Sequence, residues 1–140
     1  MGFGGLHLAE QELNFSIETV PDADSVFMRA HKQYLLKGTL AHGVFKAHDG
    51  GMSVDWNKYS TPEETRFRAK KNPENNAVIE MNVGEIRSIP VLDVVHTPEM
   101  GNRAHCDVPL PSEGEDLTEV RFKLRKLAKI VLALPPAVRP

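Results

Sequence analysis

Cysteine occurs once among the 140 residues, as Cys106. A single thiol can form no intramolecular disulfide and no thiolate-rich zinc site, and this scarcity fits a reducing cytoplasm. Positive charge is not in excess either. Lys and Arg number 17 against 19 Asp and Glu, for a formal net charge of -2 and a sequence pI near 6.3. Nucleic acid is therefore not an expected partner, since binding through bulk charge calls for a strongly basic domain. No apolar run approaches the roughly 20 residues that cross a bilayer. The opening MGFGGLHLAEQ lacks a basic stretch ahead of an apolar one, so neither a membrane partner nor a secretory signal is expected. Leu6 stands where N-myristoylation needs Ser or Thr. His-x-His, His-Glu-x-x-His and Cys-x-x-Cys are all absent, and no metal site is expected. Gly-x-Ser-x-Gly and a phosphate-cradling glycine loop are missing too.

The length suits one domain over residues 1–140, large enough to hold a core without metal or disulfide. Residues 1–25 read as a partly flexible start with a short edge strand at Leu13–Ile17, and 135–140 as a tail. The organising stretch is Gly50–Trp56, a glycine turn and an alternating strand that holds the only tryptophan. Thr61-Pro62-Glu63-Glu64 follows as a helix start, with Thr61 as cap, Pro62 at the first position and Glu64 closing a capping box. That helix is expected to run to about Lys71, where Asn72-Pro73 stops it.

Strands are expected at Val26–His31, Leu40–Ala47, Ala77–Val83, Ser88–Thr97 and Arg103–Leu110. The fourth of these reads as a central strand because it is apolar on both faces. Asp49-Gly50 suggests a hairpin joining Leu40–Ala47 to the Trp56 strand, and Lys32–Lys37 a helical turn ending at Gly38. From Leu117 the apolar residues recur at three and four as far as Leu134, predicting one long helix that ends at Pro135-Pro136. The fold expected is α+β: a mostly antiparallel or mixed sheet covered by one long C-terminal helix, with a short mid-chain helix.

Strand parity locates candidate chemistry. If Met52, Val54 and Trp56 face the core, Ser53 and Asp55 face away, as do Arg29 and His31 beside Met28 and Ala30. By the same rule Glu80 opposes Ile79 and Met81, while Arg103, His105 and Asp107 oppose Ala104, Cys106 and Val108. The step Arg-Ala-His occurs twice, at 29–31 and 103–105, and sets a guanidinium beside an imidazole. On this pattern Arg29, Arg103 and Ser53 are candidate ligand-binding residues. His31 and His105 are candidate acid–base groups, oriented by Asp55, Glu80 or Asp107. Ser53 with one of these histidines and Asp55 or Asp107 makes a triad only if their strands are neighbours. A sheet that merely wets one face gives the same pattern with no site. His7 and His48 read as solvated, His42 depends on an uncertain register, and His96 reads as a hydrogen-bonded structural histidine.

The order Arg29 or His31, then Ser53 ahead of the Thr61 helix, then Glu80 or Asp107 resembles small bacterial ADP-ribosyltransferase-like domains. That resemblance implies a site for nicotinamide adenine dinucleotide. The family's Ser-Thr-Ser step and Glu-x-Glu pair are missing. The Ser53-Val54-Asp55 strand with Asn102-Arg103-Ala104-His105 also looks like small bacterial proteins of no assigned activity. The function expected is an enzyme or binder of a small anionic or nucleotide-type ligand, held on an Arg/His-rich sheet face in a cytoplasmic protein. The alternative is a non-catalytic interaction module or homodimer, with no chemistry.

Overall fold

Alternation places Val26, Met28 and Ala30 on one side of β1 (Ser25–His31), and all three are buried. This strand is the axis of a six-stranded sheet seen in a computed structural model that describes residues 15–47, 51–112 and 114–136. The other members are β4 (Gly51–Trp56), β5 (Asn76–Asn82), β6 (Val95–His96), β7 (His105–Pro109) and β8 (Lys129–Leu132). Their order is β6-β7-β4-β1-β5-β8, and every neighbouring pair is antiparallel. Two short strands, β2 (Leu35–Leu36) and β3 (Thr39–Leu40), form a separate hairpin.

The inward residues of four strands make one apolar layer, with Met28, Trp56, Ile79 and Cys106 among its members. The long helix α3 (Glu115–Leu127) covers it by inserting Val120 and Leu124. A sheet with one apolar face needs such a cover. The mid-chain helix α1 (Pro62–Phe67) lies against the other face. Its Arg66 donates to the Asn76 carbonyl at 2.9 Å, and its Thr65 to Asp55 at 2.8 Å. The capping box is complete: Glu64 N–H donates to Thr61 Oγ1 at 3.1 Å, and Thr61 N–H to Glu64 Oε1 at 3.0 Å. A one-turn helix, α2 (Val83–Arg87), completes the α+β architecture. Among the described residues no helix is long and apolar enough to cross a membrane.

Several expected elements differ. The 32–37 turn is a 3-10 turn at Lys32–Tyr34 followed by the β2–β3 hairpin, in which Lys37 and Gly38 both have positive φ. Two positive φ values suit a primed turn whose twist matches its strands. No strand spans Leu40–Ala47. Leu40 pairs with Leu35, and consecutive buried residues Val44 and Phe45 anchor a turn instead. Val44 and Phe45 could not both point inward from one strand. The expected hairpin to β4 therefore has no partner strand, and β4 pairs with β1 and β7.

Ser88–Thr97 is not a central strand: only Val95–His96 pairs, at the sheet edge. Pro90 lacks an N–H and Val91 has φ 65°, so the chain turns here while Ile89, Leu92 and Val94 plug the core. α1 stops at Phe67 rather than near Lys71. The C-terminal helix stops at Leu127, and Lys129–Leu132 pairs with β5. Helical spacing continued through β8, but Ile130 and Val131 also suit a strand, and the open edge of β5 decides. β7 begins at His105, with Arg103 in the preceding turn. Phe15 to Ile17 form no strand. Leu13, His7, His48 and Asp49-Gly50 lie outside the described residues, as does the end of the tail.

Candidate functional site

β4 lies between the two Arg-Ala-His segments, with β1 on one side and β7 on the other. The register pairs Asp55 with Phe27 on β1 and with His105 on β7, and Ser53 with Asp107. Pairing between β1 and β4 is confined to Val26 and Phe27, and beyond it Arg29 and Ser53 line one cavity. Side chains opposite one another on neighbouring strands share a face. That face becomes concave because α1 and the turn at Glu99–Asn102 rise on its flanks. The cavity holds about 580 Å³, and Arg29, His31, Ser53, Asp55 and His105 all line it.

His105 is the pivot and only 8% exposed. Its Nδ1 lies 2.9 Å from the Thr97 carbonyl and 3.0 Å from Thr97 Oγ1. A carbonyl oxygen only accepts, so Nδ1 carries a proton and neutral His105 has a bare Nε2. Ser53 Oγ lies 3.1 Å from that Nε2 and donates to it. Glu99 Oε1 is also 3.1 Å from Nε2, and Asp107 Oδ1 is 4.0 Å away. His105 Nε2 thus holds the Ser53 hydroxyl, with the Glu99 carboxylate beside the same nitrogen.

Asp55 has another task. Although it faces His105 in register, its carboxylate, on a residue 5% exposed, accepts from Thr65 Oγ1 and Arg68 Nη1 at 2.8 Å each and from Asn102 Nδ2 at 2.9 Å. It ties α1 and the 99–102 turn to the sheet and does not orient the imidazole. Arg29 donates through Nη1 to the Thr65 carbonyl at 2.8 Å. Burial pulls its guanidinium below the usual arginine value, Asp55 raises it, and Arg68 lowers it further. The other N–H groups of Arg29 have no protein partner among the described residues.

The remaining sequence candidates divide. His31 lines the cavity but its Nδ1 accepts from Gln33 N–H at 3.1 Å, capping the 3-10 turn. Asp107 flanks His105 outside the lining. Glu80, on β5, shares the face opposite Phe27 of β1, yet is not among the lining residues. Arg103 is elsewhere: its guanidinium stacks 4.3 Å from the Tyr59 ring centre and lies 3.8 Å from Glu18. Strand parity does not apply to a residue in a turn, so the second Arg-Ala-His step contributes its histidine alone. His96 is buried, accepting from Glu18 N–H and donating to the Arg103 carbonyl. Parity could not find Arg68, Lys46, Lys70, Asn102, Thr97 or Glu99. Thr65 and Arg68 do share a helix face at a spacing of three, and the Thr61 cap fixes that phase. Thr97 acts through its backbone and left no sequence signal.

Cys106 is inward and fully buried, and burial, with Asp55 and Asp107 adding to it, pushes its thiol up to about 12. It is no nucleophile at neutral pH. Among the described residues no cluster of His, Cys, Asp or Glu is arranged to hold a metal ion. No family model, no curated protein and no solved structure matches the chain.

Proposed function

We propose that the cavity binds a small anionic ligand, of phosphate or carboxylate type, and that the protein is an enzyme using His105 as its acid–base group. One observation carries this reading. The lining holds four cationic side chains, Arg29, Arg68, Lys46 and Lys70, against two carboxylates, Asp55 and Glu99, around an oriented imidazole. Asp55 already has Arg68 as its partner, which leaves Arg29 and the lysines for a ligand. The volume lies within the range of small-molecule sites, about 300–1,000 Å³. A nucleotide-type ligand fits the same description, and a cytoplasmic setting agrees with the single cysteine.

A thermal-shift screen tests the proposal, using phosphate, nucleotides and di- and tricarboxylates beside uncharged analogues. A ligand present at about 100 times its Kd stabilises the folded state by about 2.7 kcal/mol. Anions should raise the melting temperature, their uncharged analogues should not, and Arg29→Gln should remove the shift. A screen in which no anion stabilises the wild type overturns it.

The interaction-module reading has one observation in its favour. A second groove of about 510 Å³ runs between α3 and the 89–91 loop, lined by Ile89, Val91, Leu110 and Val120 among others. A dimeric mass in solution, with no anion-linked shift, would favour that reading.

A further inference from the structure

We infer that Ser53 is a nucleophile and that the cavity carries out acyl transfer on carboxylic esters bearing an anionic group. This deepens the proposed function and rests on it. Three observations support it without any motif. The first is the tautomer of His105: the Thr97 carbonyl at 2.9 Å holds the proton on Nδ1 and leaves the Nε2 lone pair for the Ser53 hydroxyl at 3.1 Å. A serine hydroxyl bonded to a bare imidazole nitrogen, with the opposite nitrogen held by a third group, is the arrangement that activates serine. Here the third group is a backbone carbonyl and not a carboxylate.

The second observation is access. Ser53 is exposed, and its Oγ has no partner among the described residues except His105. A serine serving only the sheet has no need of a cavity in front of it. The third is the charge around it. Arg29 lines the same cavity as Ser53, and a guanidinium there can take the negative charge that develops on an attacked carbonyl oxygen. Glu99, 3.1 Å from Nε2, stabilises the imidazolium that forms when the serine proton is taken.

The chemistry balances within the protein and its substrate. Ser53 Oγ bonds to the acyl carbon while its proton passes to His105 Nε2. The bond from acyl carbon to leaving oxygen then breaks, and that oxygen departs as an alcohol carrying the proton from Nε2. Water next attacks the acyl–Ser53 ester, gives one proton to Nε2, and releases the carboxylic acid as the serine oxygen recovers that proton. The net reaction is ester plus water to acid plus alcohol.

The test treats the full chain with a fluorophosphonate probe, which phosphonylates activated serines, and follows intact mass and the labelled peptide. A parallel assay compares hydrolysis of p-nitrophenyl succinate half-ester, an anionic acyl donor, with p-nitrophenyl acetate. The wild type should acquire one adduct, at Ser53, and hydrolyse the anionic ester faster. Ser53→Ala, a change at an exposed position, should keep the wild-type melting temperature and abolish both. His105→Gln should slow labelling by roughly 100-fold or more, the usual contribution of a general base. Absence of an adduct at Ser53, or labelling that His105→Gln leaves unchanged, overturns the inference. If anions still raise the melting temperature in that case, the binding site survives and only the nucleophile falls. If neither is seen, both fall.

Discussion

Asp55 shows how one carboxylate can be misread from sequence and still matter most at its site. Its position on β4 was legible from alternation, and so was its shared face with Ser53 and His105. Its partners were not, because they come from α1 and from the 99–102 turn, which no periodicity ties to β4. Three donors converge on a side chain that is almost wholly buried. Asp55→Ala would leave Arg68 as a partly buried charge without its partner. Breaking a buried ion pair by removing one member typically costs 3–5 kcal/mol. Urea unfolding should therefore show a loss of about 3–5 kcal/mol, far more than Ser53→Ala at the same face.

Cys106 gives a second prediction at this scale. Burial pushes its thiol from the ordinary 9.0 up to about 12 in the folded chain. A group with a raised folded pKa adds stability that is fully present below its unfolded pKa and is lost as pH rises through the folded one. Stability should fall between about pH 9 and pH 12, and the fall should be shallower in Cys106→Ala. At neutral pH iodoacetamide should label Cys106 only in the unfolded chain.

Elements with a strong local signal were legible, and those decided by pairing were not. The Thr61–Glu64 box fixes where α1 starts, and that start sets Thr65 under Asp55 and Arg68 beside it. The six residues of α1 are too few to be stable in isolation, so both cap and packing are needed. Thr61→Ala should cost about 1 kcal/mol, read as a lower melting temperature. Weaker stabilisation by anionic ligands should accompany it, since Arg68 enters the cavity from this helix. β8 shows the opposite case. The apolar spacing of α3 continues through Ile130 and Val131, and nothing local marks the change at Lys129. The open edge of β5 does, and that edge exists only once the sheet has formed. Ser88–Thr97 fails for a related reason: burial on both sides of a chain is produced equally by a central strand and by a loop pressed into the core. Pro90 was the available warning.

At the scale of the whole molecule, alternation says which residues share a face but not which strands are neighbours. The candidate site depended on that second fact. β1 and β7 both flank β4 although about 75 residues separate them, so the cavity floor is made wholly of long-range pairings. The floor and the walls are built differently. β1 is bonded along its full length to β5 and, at Val26 and Phe27, to β4 on its other side. The wall turn at Met100-Gly101 is closed by only two backbone bonds, between Glu99 and Asn102, and tethered by Asn102 to Asp55. Strands paired on both sides open only with the whole domain, whereas short turns and edges open locally at lower free energy. Native-state hydrogen exchange should rank β1 and β5 slowest, with the β2–β3 hairpin, β8 and the 99–102 turn faster. A saturating anion should then slow exchange at Glu99–Asn102 and in α1 while leaving the β1 amides unchanged. Such a pattern fits a rigid floor that holds Ser53 and His105 in register and walls that close on the ligand. Equal protection of the turn and β1 before any ligand is added would mean that floor and walls open as one unit, and that the cavity is fully formed without its ligand.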